Sequence, residues 1–328
     1  MPNSAFRNYH ISEQLDGSRL IAALRRLRAE DSWSQLRRLV QHRHVQINGN
    51  LCTDEARPLK AGDVVKVWHE PVAAPVRADD LRVQYLDAHL IVVEKPAGVT
   101  TLRHSEERHW PARRRQFQPT LDEMIRQVLA RKAKSRRPSG GGRRPEPPSL
   151  RAVHRLDRDT SGLMVFARTA EAERQLVKMF SRHDLHRAYL AIVLGRVEAQ
   201  TIESYLVRDR GDGLRGSTQQ TGQGQRAVTH LRPLEYLDGY TLVECRLETG
   251  RTHQIRIHLA EAGHMVCGEK VYVRPLHGPV VQDRSGAQRQ ALHAAELGFA
   301  HPITGEQLKF KMPLPPEMAR LLKRLRGA

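Results

Sequence analysis

The sequence predicts an α+β protein in two parts, and three observations carry this. Residues 18–69 show two helical patterns followed by a hairpin and a strand. A Pro-rich stretch then interrupts the chain, and from Leu81 a second series of strands and helices begins. A length of 328 residues fits a main domain of ordinary to large size plus a smaller one, with apolar surface enough for a core without staples.

In order along the chain, residues 1–13 read as a loose tail. Leu20, Leu24 and Leu27 recur at spacings of four and three, as on one face of a helix. Ser32 or Ser34 is a good N-cap for a second helix with an apolar face of Trp33, Leu36, Leu39 and Val40. Arg37, Arg38 and Arg43 lie on its other side. Val45 and Ile47 alternate into Asn48-Gly49, a strong two-residue hairpin signal, and Val64 to Trp68 reads as a strand. This unit spans 14–72, and residues 73–80 read as a linker in a stretch punctuated by Pro71 and Pro75.

The second part, 81–328, opens with strands at Leu81–Tyr85 and Leu90–Glu94, closed by Lys95-Pro96-Ala97-Gly98. Two basic insertions follow, at 103–118 and 131–148. Arg131 to Arg144 holds seven basic residues and no acid, a composition that supplies no core and should be mobile in the free protein. A short amphipathic helix, Leu121 to Leu129, lies between them. Further strands are expected at Leu163–Ala167, Tyr189–Leu194, Ala227–Tyr236 and Thr241–Leu247, with a Gly-rich polar loop at Leu206–Gln225. Helices are expected at Ala170–Phe180 and at Gln254–Ala260, the latter ended by Gly263.

Composition narrows the function. Lys plus Arg number 54 against 36 Asp plus Glu, a net charge of +18 that implies a polyanionic partner, nucleic acid before membrane. Cys52, Cys245 and Cys267 are far apart and form no CxxC pair, so neither a metal site nor a disulfide framework is signalled. No apolar run approaches the roughly 20 residues of a membrane span. A cytoplasmic protein is the expectation.

Two stretches carry dense chemistry. His154-Arg155-Leu156-Asp157-Arg158-Asp159-Thr160-Ser161-Gly162 runs into apolar Leu163-Met164-Val165-Phe166. Arginines beside Asp157 would keep it ionised where water is excluded, fit to act as nucleophile or base. A structural ion-pair loop would have the same composition. Thr249-Gly250-Arg251-Thr252-His253-Gln254-Ile255-Arg256 enters a helix, and Arg251 suits either a phosphate or the Asp157 carboxylate. In Arg187-Ala188-Tyr189-Leu190-Ala191, Tyr189 is either strand packing or a stacking platform for an unstacked base.

These stretches resemble the ordered motifs of the RluA-type pseudouridine synthases. HRLDRDTSGLMVFA (154–167) resembles their aspartate signature and LIVVEKPAG (90–98) their first motif. RAYLAIVLG (187–195) resembles their tyrosine motif and TGRTHQIRIH (249–258) their arginine motif. LHAAELGFAHPITGE (292–306), with Pro313-Leu314-Pro315, resembles their C-terminal end. Arg187 stands where the family usually has Lys, and the chain after Gly98 is longer and Arg-rich. Residues 14–69 resemble an S4-type RNA-binding domain. The resemblance implies a mixed, largely antiparallel sheet around a central cleft, no cofactor, and isomerisation of uridine to pseudouridine in a structured RNA. Ribosomal RNA is favoured, of the large subunit, over transfer RNA. It further implies Asp157 as the catalytic carboxylate paired with Arg251, Tyr189 stacking on the flipped base, and Arg155 filling the gap it leaves. His154, Leu156, Thr252 and His253 join Arg155 as substrate contacts, and Arg37, Arg38 and Arg43 as RNA contacts. No metal and no membrane are expected, and the chain is expected to act as a monomer. A non-catalytic RNA-binding or ribosome-assembly protein of this fold is the rival reading, since it would keep the basic surface but lose Asp157 or Arg251. An Asp-nucleophile glycosylase is another, and it would release free base.

Overall fold

The computed structural model describes residues 6–48, 50–69, 71–72, 76–103, 107, 109–111, 115, 118–135, 149–218, 220, 222–274 and 278–327. Most of the second basic insertion, 136–148, and much of the first lie outside these residues. Two units separate: Met1–Pro75 with Trp110–Gln118, and Val76–His109 with Pro119–Ala328.

The first unit holds β1 (Phe6–His10), α1 (Leu20–Leu27), α2 (Trp33–Gln41), β2 (Val45–Ile47), β3 (Asn50–Leu51) and β4 (Val64–Trp68). Ser32 caps α2 in a capping box: its hydroxyl accepts from Gln35 N, and Gln35 Oε1 accepts from Ser32 N at 2.7 Å. Leu20, Leu24, Leu36 and Val40 from the helices meet Val45, Ile47, Val65 and Val67 from the strands in a core of their own. Trp33 does not join this core: it shares the helix face of Leu36 and Val40, but at the first position of α2 it stands 46% exposed. The expected loose tail is corrected too: β1 pairs antiparallel with β4, Phe6 opposite Trp68, and Lys66 lies over the Phe6 ring at 4.0 Å. Asn48 takes φ +50 between the paired Ile47 and Asn50, in keeping with a tight turn, while Gly49 lies outside the described residues.

The second unit holds β5 (Val83–Leu86), β6 (Leu90–Lys95), α3 (Leu121–Ser135), β7 (Arg151–Ala152), β8 (Ser161–Ala167), α4 (Ala170–Arg182), β9 (His186–Leu194) and β10 (Gln200–Val207). It continues with β11 (Gly216–Thr218), β12 (Gln225–Leu237), β13 (Tyr240–Leu247), α5 (Gln254–Glu261), β14 (Leu292–Ala300), β15 (Gln307–Lys311) and α6 (Pro316–Leu325). The sheet runs β11-β10-β12-β13-β9-β14-β8-β6-β5, with β15 on β14 and β7 on β8. Only β8 with β14 is parallel among the described pairs, so the sheet is mixed and largely antiparallel. The period-two alternation of β6 and β8 divides the core. Ile91, Val93, Met164 and Phe166 pack under α3 and α6, while Leu90, Val92, Leu163 and Val165 pack under α4.

In the polar stretches the chain is more ordered than expected. α3 continues to Ser135, taking the start of the second insertion into a helix. Its buried Leu121, Met124, Ile125 and Leu129 anchor a longer element than the apolar pattern alone marks. The Gly-rich 206–225 stretch contains β11, recruited by antiparallel pairing to β10.

Candidate active site

The loop 154–160 is fixed before its side chains act. It leads into β8, whose seven residues are all buried in mid-sheet. Gly162 has φ +128, and a Cβ there would meet Ala294 O at 2.3 Å, so only glycine permits the close parallel pairing with β14. The three carbonyls that follow Asp157 are gathered by two cations. Lys95 Nζ donates to Arg158 O at 2.9 Å and Thr160 O at 2.7 Å, and Arg289 Nη1 donates to Asp159 O at 2.9 Å. Gly98 N adds a bond to Arg158 O, Gln290 Nε2 one to Thr160 Oγ1, and Thr101 Oγ1 one to Leu156 O. Lys95 is buried, and that burial pulls its pKa to about 7 against the opposing charges of Asp159 and Asp157.

The Asp157 side chain, 18% exposed, stands at the cleft with Oδ2 2.9 Å from Arg256 Nη1 and Oδ1 3.7 Å from His253 Nε2. Arg256 is 7% exposed and offers its other edge to Glu269, Nε and Nη2 each at 2.7 Å. Glu269 Oε1 also accepts from Lys270 N and Val271 N, at 2.9 and 2.8 Å. Burial opposes ionisation of Glu269, yet Arg256 and the N–H groups of Val271 and Tyr272 hold its carboxyl below the usual range. Burial likewise opposes the Arg256 charge, and Glu269 then Asp157 outweigh it, so the guanidinium stays charged. A buried anion thus aims a buried cation at a half-buried carboxylate.

The expected pairing of Arg251 with Asp157 is corrected here. Arg251 precedes α5, is exposed, and donates Nε to Arg226 O at 3.1 Å. Arg256 is inside α5, a helix buried on every side from Gln254 to Ala260, and from there it reaches the carboxylate. Gln254 shapes the turn between them, its Oε1 accepting from Thr249 Oγ1 and Arg251 N. His253 takes φ +60 at the N-cap, and its Nδ1 lies 2.7 Å from the Tyr272 hydroxyl. Burial, despite the pull of Asp157, holds the His253 pKa below its ordinary value, which favours the neutral ring at pH 7. The sequence reading missed Glu269 and Tyr272, and quoted Lys95 and Arg256 without a role. The available signal was a charged residue in the apolar run Ile255-Arg256-Ile257, since a buried arginine calls for an anionic partner.

A cleft of about 450 Å³ opens in front of Asp157, and Arg155, Tyr189, His253, Arg256 and Arg251 line it. Tyr189 is buried on β9, and burial raises the pKa of its phenol. Arg155 is exposed at the rim. Of the expected substrate contacts, His154 has its Nε2 taken by Val165 N at 3.1 Å and its ring stacked on Phe180. Burial, then the charge of Arg187, lowers its pKa to about 3, so it serves the wall as a neutral ring. Leu156 is core packing as well as cleft lining, and Thr252 does not line the cleft. Arg38 is exposed in the first unit, Arg37 lies 3.4 Å from Glu55, and Arg43 takes φ +70 just after α2. Among the described residues no group of three or more His, Cys, Asp or Glu is arranged to hold a metal, and no helix is long and apolar enough to cross a membrane.

A carboxylate aimed from a rigid sheet into a cleft, in a chain of net charge +18, fits an enzyme that works on a polyanion such as a nucleic acid. Residues 89–261 match the family model described as RNA pseudouridylate synthase, and residues 18–65 match the S4 domain. The ribosomal large subunit pseudouridine synthase D of Zymomonas mobilis is 36% identical over 323 residues, covering 96% of each chain. That of Xanthomonas campestris is 34% identical, covering 99% of this chain and 94% of its own. Human RNA pseudouridylate synthase domain containing 4 shares the fold at a TM-score of 0.56 and 23% identity, over 74% of this chain and 92% of its own. This chain belongs to the RNA pseudouridylate synthase family and is an isomerase with an S4 domain ahead of its catalytic fold.

Proposed function

We propose that the protein converts uridines of large-subunit ribosomal RNA to pseudouridine, with Asp157 as the carboxylate that acts on the flipped nucleotide. The observation that carries this is the Glu269–Arg256–Asp157 chain of charges, which fixes one carboxylate oxygen and leaves the group facing the cleft. The reaction breaks the N1–C1′ bond and forms a C5–C1′ bond. The C5 proton leaves and N1 gains one, so no redox partner is needed. Tyr189 forms the buried wall against which the uracil stacks, and Arg155 at the rim takes the place the base leaves in the RNA. Flipping costs a few kcal/mol, least in a loop. The S4 unit, with Arg37, Arg38 and Arg43, holds the surrounding RNA by its phosphates. The relatives named for large-subunit ribosomal RNA support the substrate. In this reading the protein acts on it as a cytoplasmic monomer.

The test is tritium release from C5-labelled uridine in unmodified large-subunit RNA transcripts. Release in step with pseudouridine formation is expected. Release of free uracil would point to a glycosylase, and binding without release to a non-catalytic protein. Labelled transfer RNA run in parallel tests the substrate class.

A further inference from the structure

A second buried guanidinium lines the same cleft, and the machinery described so far does not use it. Arg187 lies on β9 two residues before Tyr189, so the two side chains stand on one face of the strand, and both border the cleft. Arg187 is 8% exposed, and its Nε and Nη2 are buried with no hydrogen-bond partner among the described residues. Its neighbour is the ring of Phe180, 5.4 Å from Cζ, which leaves those N–H donors unsatisfied. On another side is the bare backbone of Gly250, where a Cβ would come within 3.2 Å of Nη1. Arg256 makes the contrast, with all three nitrogens committed to Asp157 and Glu269.

An arginine does not escape burial by losing its proton, so an unpaired one is held at a cost that an incoming anion relieves. The unpaired edge is the Nε/Nη2 edge. Arg226, Arg232 and Arg326 present this same edge to the carboxylates of Glu203, Glu244 and Glu235. It matches two oxygens of a phosphodiester equally well, whereas a uracil carbonyl is neutral and leaves the charge uncompensated. The charge is felt across the cleft wall: after burial, Arg187 is the next cause that lowers the pKa values of His154 and His183.

Resting on the reading that a uridine of RNA enters this cleft, we infer that Arg187 receives a phosphodiester of the target strand, at or next to the nucleotide over Asp157, through its Nε/Nη2 fork. Phe180 and the Gly250 backbone shape the pocket around that fork. Arg187 is then a binding residue that sets how deep the flipped nucleotide sits.

The experiment uses the full chain and a synthetic RNA fragment in which the wild type forms pseudouridine, ribosomal or transfer, so that the substrate reading is judged separately. Single methylphosphonates, which are uncharged, replace in turn the phosphates around the target. In the wild type one position should lower kcat/KM by about ten- to a hundredfold, the range for a charge-assisted bond. In Arg187→Met that same substitution should cost less than about twofold, because the partner is already gone. Arg187→Lys keeps charge without the fork and should fall between. If Arg187→Met does not fold, the wild-type scan and Arg187→Lys carry the test. A scan without a sensitive phosphate, or one whose losses are equal in wild type and variants, overturns the inference and leaves Arg187 a structural cation.

Discussion

Arg256 Nη1 meets Asp157 Oδ2 at 2.9 Å across ninety-nine residues of sequence, and the other edge of the same guanidinium is locked to buried Glu269. The aspartate signature and the arginine motif are therefore one site. Asp157→Asn keeps shape and removes charge, so tritium release should fall to background while RNA affinity persists. Arg256→Met together with Asp157→Asn should cost little more activity than Asp157→Asn alone, since groups acting as a unit are not additive. Losses that multiply would separate the two residues.

Glu269 makes a stability prediction of its own. Its carboxylate is 1% exposed, and Arg256→Ala leaves it without its ion partner. Urea unfolding should show a loss of about 3–5 kcal/mol, the cost of stranding a buried charge. Glu269→Gln should cost less and still slow catalysis, because Arg256 loses the anion that orients it.

Lys95 gives the site a pH dependence. Its folded pKa of about 7 lies well below the ordinary 10.5. Between those values the unfolded chain holds the proton that the native state has lost. Stability from this group therefore rises with pH through that window, while below it the penalty of burying the ammonium is fully present. Activity should run the other way. A neutral amine has two N–H groups for the carbonyls of Pro96, Arg158 and Thr160, so the Asp157 loop loses an anchor. The kcat profile should show a falling limb near pH 7 that is absent from Lys95→Met.

How much of this was legible follows from the range of each signal. The Ser32 cap, the Leu20–Leu24 face and the short apolar run Leu90 to Val93 are local patterns, and each produced its element. β1 was not legible, because Phe6-Arg7-Asn8-Tyr9-His10 has little apolar alternation and exists by pairing with β4 far along the chain. Asp157 stood out by its arginine neighbours and its apolar strand. Its partner was misplaced by five residues because both arginines share one motif, and only the burial of α5 tells them apart. Glu269 carries no local mark, since its role is set by the fold bringing it under Arg256.

Gly162 tests the seating of the loop on the sheet. Its φ of +128 disfavours any side chain, and a Cβ would overlap backbone Ala294 O at 2.3 Å. Gly162→Ala should lower stability by about 3 kcal/mol or more. It should also slow turnover in whatever protein remains folded, because the shift moves Ser161 and the loop behind Asp157. A thermal unfolding midpoint equal to the wild type would show that β14 yields freely.

Arg251 and Arg256 should part company under one assay. Arg251 is exposed at the rim, and among the described residues its guanidinium makes one hydrogen bond, from Nε to Arg226 O, so its other nitrogens can meet RNA. Arg251→Ala should weaken RNA binding a few-fold and reduce the slope of log affinity against log salt by about 0.7–0.9, the share of one phosphate contact. Its single-turnover rate on saturating RNA should stay close to wild type. Arg256→Lys keeps a charge beside Asp157 but cannot face Asp157 and Glu269 with two planar edges at once. It should bind RNA with an unchanged salt slope and turn over slowly. If Arg251→Ala instead binds normally and stalls on bound RNA, Arg251 moves to Asp157 when RNA enters, and the pairing seen in the free enzyme is not the one that works.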